Sequence, residues 1–541
     1  MIPFSRIIRP VITLSVLFLT LPVPAQDHVV KKIITEGTTN NLTQHHLDVL
    51  TNRIGGRPVG SDAYNAAVKW AVSQFEKWGL EVSVEEAGET RVGFNRGPWS
   101  GTLYGGVFPN GDGTSLHFAT PSYTAGTKGL QKGHVLLEPK TQAEFDRMKK
   151  VLKGAWVLIT GSNNGWPVER TVQADKRRDS IIQLNEEIAR ENNDVIRRYR
   201  TRTGDRRMNE DKMREELKDS LKTINDEPAL FYRQLVEAGV LGFIQSSPVP
   251  ITALWDKYTV FGEESCFDNL PVVPDIKLDE HQYNYLLQMV KERRPVELAF
   301  DIRNHFRPGP VKFHNVVAKM KGSKYPDEYV MVSGHLDSYD TATGGVDCGV
   351  GVTPAMESAR LLSVAGAKPK RSILFVLFAG EEFGLLGATA WVKAHEKELD
   401  KISNLFNRDG GPTVATGVTV SQAMYEDFIK ISEGIDQINP AFGFKVNTFK
   451  PRPRPTVPGG TDASVFAIRG VPTIAFDNSD PKGYNFDYRE IWHTERDVYT
   501  KSIDEYQEHT SVVQAVIIYR LANLDHLLPR DGYYLEPEKS R

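Results

Sequence analysis

Five short segments of this chain end on side chains that can bind a metal or move a proton. They are Gly334-His335-Leu336-Asp337, Gly345-Val346-Asp347-Cys348-Gly349, Gly380-Glu381-Glu382, Asn407-Arg408-Asp409-Gly410 and Trp492-His493-Thr494. Each alone has an ordinary reading. An Asp after a strand commonly caps a helix or forms a turn. A Glu pair complements the dipole at a helix start, and a lone His is commonly a surface or satisfied core residue. The ordered set His, Asp, Glu-Glu, Asp, His says more, because its nitrogen and oxygen donors are those zinc and its neighbours in softness accept. A serine hydrolase does not fit, since no Gly-x-Ser-x-Gly elbow is present. A His-Glu-x-x-His zincin motif is absent as well.

These segments follow predicted buried strands. Val316–Met320, Tyr329–Ser333, Ile373–Phe378 and Ile402–Phe406 are short apolar runs bounded by turns. Helices are expected over Thr353–Val364, with Thr353 as N-cap and Pro354 at the first position, over Glu382–Glu398, and over Ile503–Leu528. Upstream, helical patterns cover Thr43–Ile54 and Ala63–Trp78, the second capped by Ser61-Asp62 and stopped by Gly79. Glu81–Glu86 alternates as a strand. Alternating strands and helices predict an α/β fold with a mixed sheet flanked by helices. Ligands of such folds bind outside the carboxyl ends of the strands, where these five segments lie.

Composition sets the frame. The 541 residues include 66 Lys and Arg against 69 Asp and Glu, a formal net charge of -3. No basic excess exists to neutralise a phosphate backbone, which argues against a nucleic-acid partner. The two cysteines, Cys266 and Cys348, exclude a disulfide scaffold, an iron–sulfur protein and a cysteine-ligated finger. Residues 1–25 read as a secretory signal: Arg6 and Arg9, then apolar Val11–Leu21, then cleavage after Ala25. The expected product is secreted or periplasmic, with no membrane partner once the leader is removed. Residues 26–95 and 305–541 form the first and second parts of one domain. Between them, 96–304 reads as short β runs rich in Gly and Pro, such as His134–Glu138, Ala155–Thr160 and Val240–Gln245. Inside that stretch, 171–226 is dense in balanced charge, with Ile181, Ile182, Leu184 and Ile188 at helical spacing. It predicts a protruding helical pair, read either as a solvated face or as a surface for a homodimer or another partner.

The five motifs resemble those of the M28 family of metallopeptidases, over roughly 30–95 and 305–525. Within it the chain is similar to the plasma glutamate carboxypeptidase-like branch. That resemblance implies a zinc-exopeptidase sandwich with a mainly-β protease-associated (PA) domain inserted at 96–304, the 171–226 helices being an addition to it. It implies two zinc ions: one on His335 and Asp409, the other on Glu382 and His493, with Asp347 bridging. Glu381 would be the general base acting on a water or hydroxide shared by the metals, and Asp337 would orient His335. The substrates would be peptides, cut at a free N-terminus. A phenol assists in many such sites, and Tyr484 is the candidate here, a packing or rim tyrosine being the alternative. Asp462, in Pro458-Gly459-Gly460-Thr461-Asp462, resembles part of a cleft loop and also reads as a helix cap.

Two positions depart from the family pattern. Cys348 stands where Asn is frequent, either as an extra ligand or with its side chain turned away. Trp492 stands where a second His is frequent. Carboxypeptidase or dipeptidase action is an alternative, with Arg452 and Arg454 as groups that could grip an α-carboxylate. Glutaminyl cyclase, with one zinc, and a non-catalytic binding ectodomain are two more. The complete ligand set with its base argues against both.

Overall fold

The computed structural model describes residues 25–105, 113–160, 168, 171–203, 213, 215–252 and 271–535. The leader stretch up to residue 24, and Cys266, lie outside the described residues.

Strands β1 (Glu81–Asn95), β2 (His305–Met320), β3 (Tyr325–His335), β4 (Arg371–Phe378) and β5 (Ile402–Asn407) form a five-stranded mixed sheet in the order β1-β2-β4-β3-β5. β3 lies parallel to both β4 and β5, while β1 and β2 run antiparallel. Every residue of β4 and β5 is buried, as expected of strands covered on both faces. A second sheet of β6 (Val414–Ser421), β7 (Lys445–Phe449) and β8 (Phe476–Ser479) has β6 at its centre. Helices α1 (Asp62–Lys77), α2 (Gly349–Val364) and α4 (Asp504–Ala522) pack against the sheets in the main core, and α3 (Leu386–Ala394) closes the other face. Ser61 caps α1 by accepting the Tyr64 N–H at 3.0 Å, and Ala67, Val68, Ala71 and Phe75 are the buried stripe.

β1 continues past Glu86 to Asn95 because β2 pairs with it along its length, ending at Asn95 opposite His305. The chain thus leaves the five-stranded sheet and returns to it through one antiparallel ribbon. Beyond that ribbon, residues 99–302 supply an eight-stranded sheet with its own core around Trp156, Ile244, Leu298 and Phe300. From its flank, one 32-residue helix spans Val172–Thr203. Met213 and Leu217 pack on Tyr199 near its end, but residues 217–220 form turns, so the expected second long arm is not seen among the described residues.

Four helix expectations shift. α2 starts at Gly349, leaving Pro354 inside it. The carbonyl that proline cannot satisfy, that of Val350, accepts the Arg408 Nε–H at 2.9 Å. The helix expected from Glu382 begins only at Leu386, because residues 381–385 form a turn closed by Leu385 at φ +58°. Thr43–Ile54 is α-helical to Asp48 and then widens into a π turn. The C-terminal helix spans Asp504–Ala522. No helix among the described residues is long and apolar enough to cross a membrane.

Candidate metal centre

Three parallel strands end side by side. His335 closes β3 opposite Phe378 of β4, and Ser333 pairs with Asn407 of β5. The segments that follow therefore open onto one edge, bringing together His335, Glu381, Glu382 and Asp409. Gly380 makes the turn after β4 at φ +65°, a conformation only glycine adopts without strain. Asp347 arrives from the start of α2. That approach requires Gly351, where a Cβ would stand 2.1 Å from the Arg408 carbonyl oxygen. His493 comes from a loop and has a left-handed backbone at φ +56°.

The side chains form one buried cluster. His335 Nε2 lies 3.1 Å from Asp347 Oδ1 and 3.4 Å from Asp409 Oδ1. His493 Nε2 lies 2.9 Å from Glu382 Oε2 and 3.5 Å from Asp347 Oδ2. The two oxygens of Asp347 thus face two different imidazoles. Around His335 the donor atoms of Asp347 and Glu382 gather within 4.8 Å of one another, as do those of Cys348 and Asp409. His335 Nδ1 donates to the Asp337 carbonyl at 3.1 Å, and Asp337 Oδ1 accepts the Glu381 N–H at 3.1 Å. Asp337 therefore touches both His335 and the base candidate.

Charge in this cluster is unbalanced. Burial, then repulsion from Asp347, holds the Glu382 carboxyl well above its usual range. Burial, with Glu382, Asp409 and Asp462 adding to it, pushes Glu381 up to about 10. Asp462, fully buried with neither oxygen hydrogen-bonded among the described residues, is also raised, by burial and by Asp409. Burial opposes the charge on His335, yet Cys348, Asp409, Asp337 and Asp347 together raise it, and Asp409 is lowered by His335 against its burial. Burial lowers His493. A buried set of carboxylates with two imidazoles matches divalent cations, which supply the missing positive charge. The donor set fits zinc.

Several expectations on neighbouring residues resolve here. Cys348 is buried and its Sγ–H donates to the Arg408 carbonyl at 3.2 Å. Burial pushes the thiol up to about 11. Trp492 is half exposed and stacks on the His493 ring, centroids 4.0 Å apart. Tyr484 does not join the cluster: its phenol is exposed and donates to Glu505 Oε1 at 2.5 Å. The reason is the turn at Asp480, whose carboxylate accepts the Tyr484 and Asn485 N–H groups and aims that residue outwards.

Two other tyrosines border the site. Burial, then the charges of Asp347 and Asp409, raises the Tyr488 phenol. The Tyr339 phenol is raised by burial and then by Glu382 and Asp347, and its ring meets His493 edge-on at 4.7 Å. Sequence reasoning also missed Asp497 and Arg57. Asp497 accepts the Val346 N–H at 2.6 Å and the Asp347 N–H at 3.3 Å. Fully buried Arg57 donates to the carbonyls of Leu336, at 2.5 Å, and Thr343, at 2.8 Å. Their spacing from the motifs was the available signal: Tyr339 and Asp497 each stand four residues after a site histidine, and Tyr488 five before one.

Residues 315–517 match the model of peptidase family M28. The chain is similar to carboxypeptidase Q of Mus musculus, 26% identical over 317 residues, covering 57% of this chain and 64% of that protein. It is likewise 26% identical to carboxypeptidase Q of Xenopus laevis over 302 residues, 54% of this chain and 60% of that one. The chain thus spans about three fifths of the length of these curated relatives. A solved structure described as a peptidase M28 precursor from Shewanella amazonensis SB2B shares the fold, with a TM-score of 0.56 at 21% identity, over 95% of this chain and 99% of that one. Strand-end donors, converging geometry and the match agree on one segment: residues 315–517, which carry every member of the cluster from His335 to His493, are similar to peptidase family M28.

Proposed function

We propose that this protein is an exported two-zinc exopeptidase that removes N-terminal residues from peptides. The observation that carries the reading is the splayed Asp347 carboxylate, with one oxygen toward His335 and the other toward His493. On this reading His335 and Asp409 hold one ion, Glu382 and His493 the other, and Asp347 both. When bound, the zinc pair supplies Lewis acidity that makes water nucleophilic near neutral pH and polarises the scissile carbonyl. Glu381 takes the water proton during attack and passes it to the leaving amine. It does so as a carboxylate, so its work requires positive charge among the neighbours that raise it to about 10. Tyr488 replaces Tyr484 as the phenol that donates to the developing oxyanion. Asp337 positions both His335 and Glu381. The inserted sheet is read as a PA-like domain.

Aminopeptidase action is favoured by the surplus of buried carboxylate, which suits a substrate ammonium. Arg452, a candidate for gripping an α-carboxylate, instead stacks on Phe449 and Tyr533 and donates to the Tyr533 hydroxyl at 2.9 Å. Carboxypeptidase or dipeptidase action is the second reading, favoured by the name of the similar vertebrate proteins. A panel of peptides with free and blocked termini, read by mass spectrometry with and without chelator, separates them. Release of N-terminal residues that stops on N-acetylation and on chelation is the expected outcome. Cleavage indifferent to N-acetylation overturns the aminopeptidase reading.

A further inference from the structure

Metal-binding histidines ordinarily fix their ring by donating the second nitrogen to a carboxylate or carbonyl. His335 does this through Asp337. His493 does not: its Nδ1 is buried with no hydrogen-bond partner among the described residues. Its backbone is left-handed at φ +56°, and apart from the Glu382 and Asp347 carboxylates at Nε2 its ring packs on Tyr339 and Trp492. The orientation of this ring must therefore come from the loop that carries it, and that loop is fastened at Asp497 to the Asp347 segment and, nearer the ring, to the inserted domain. Two residues on, the Glu495 N–H donates to the Ile251 carbonyl at 3.0 Å, and Glu495 Oε1 accepts the Ile251 N–H at 3.2 Å. Thr494 forms an antiparallel bridge with Thr252. Glu495 Oε2 meets His117 Nε2 at 2.8 Å, and His117 Nδ1 meets Asp279 Oδ2 at 3.0 Å. His117, Ile251, Thr252 and Asp279 all belong to the inserted domain. Asp279 is itself fixed, closing a strand and capping helix Glu280–Lys291. Against its burial, the two carboxylates raise the His117 imidazole, and in its protonated form it donates to both of them, a charge-assisted strut between the domains.

We infer that the inserted domain is a positioning element of the metal centre, with His117 acting through Glu495 to hold His493 in its ligating orientation. This rests on the two-zinc reading. His117 touches no ligand and is a positioning residue. The prediction is asymmetric, because His117 and Glu495 act on His493, a ligand of one ion only, while His335 is held through Asp337 and Asp347 through Asp497.

The test is zinc binding by the full chain, titrated against a competing chelator, for the unmodified protein, H117A, E495A and the double variant. The unmodified chain binds two equivalents. H117A keeps one tight equivalent and loses roughly 10- to 100-fold in affinity for the other. E495A behaves alike, and the double variant is no worse than E495A alone, since the strut acts through that residue. Thermal melting of the metal-free forms controls for folding. H117Q, which keeps one amide donor, replaces H117A should the latter melt early, with a smaller loss at the same equivalent. Two equally tight equivalents in H117A, equal weakening of both, or additive effects in the double variant overturn the strut. Fewer than two equivalents in the unmodified chain overturns the two-zinc reading, and the strut with it.

Discussion

Glu381 and Glu382 are neighbours with different tasks, and geometry separates them. Glu382 meets His493 at 2.9 Å and belongs to the donor ring. Glu381 is tied by its backbone to Asp337 and leaves its carboxyl free to exchange a proton. Glu381→Gln preserves shape and removes basicity. Steady-state hydrolysis by that variant should fall roughly 10²- to 10⁴-fold, with zinc content by elemental analysis unchanged. Retained turnover at full metal content would remove Glu381 from the base role. The neighbouring sites also show how little one residue type reveals. Tyr484 and Tyr488 share one short segment, yet the Asp480 turn sends the first to solvent while the second packs with Val346, Val350 and Ile491 beside the cluster.

Elements hold the site by burying polar groups with partners. α2 is buried on nearly every side, and its Glu357 accepts the Leu42 N–H, the His46 ring and the Arg360 guanidinium. α4 contains a contrasting case. His509 packs edge-on against Phe442, and its Nε2 has no hydrogen-bond partner among the described residues. Burial lowers it from 6.5 to about 4. The folded state keeps this ring neutral, while the unfolded chain binds a proton below 6.5. Its contribution is therefore whole above that value and is lost as pH falls towards 4. The loss is on the order of 3 kcal/mol. Urea unfolding at pH ~7 and pH ~4 should show wild type losing more stability than His509→Phe by about that amount. Equal losses would show that the ring is not held neutral.

Across the whole molecule, two cores meet at the loops that carry the candidate metal centre. The inserted sheet has its own apolar centre. It reaches the catalytic half through the β1–β2 ribbon, through Glu495, and through Arg96, whose guanidinium donates to Asp340 Oδ1 at 2.7 Å in the loop after His335. Metal should therefore stabilise the catalytic half more than the insert. Zinc at about 1,000 times its dissociation constant adds about 4 kcal/mol to the state that binds it. In calorimetry, chelation should lower the transition of the catalytic half and leave a second transition nearly in place. A single transition unmoved by chelator would contradict a structural share for the metal.

The sequence by itself determined which residues stand at strand ends, because buried parallel strands are apolar runs and the polar candidates follow them. It located the capped helix α1 and the compositional change near residue 95, since caps, stops and Gly-rich strands are local signals. What only the tertiary structure decided is non-local. β1 is long because β2 pairs with it, and α2 starts early because the Val350 carbonyl is satisfied by Arg408, 58 residues away. Tyr488 lies at the cluster and Tyr484 outside it because a turn rotates one and not the other. Asp497, Arg57 and His117 bond segments far apart in the chain, and hydrogen bonds of that kind leave no periodicity to read.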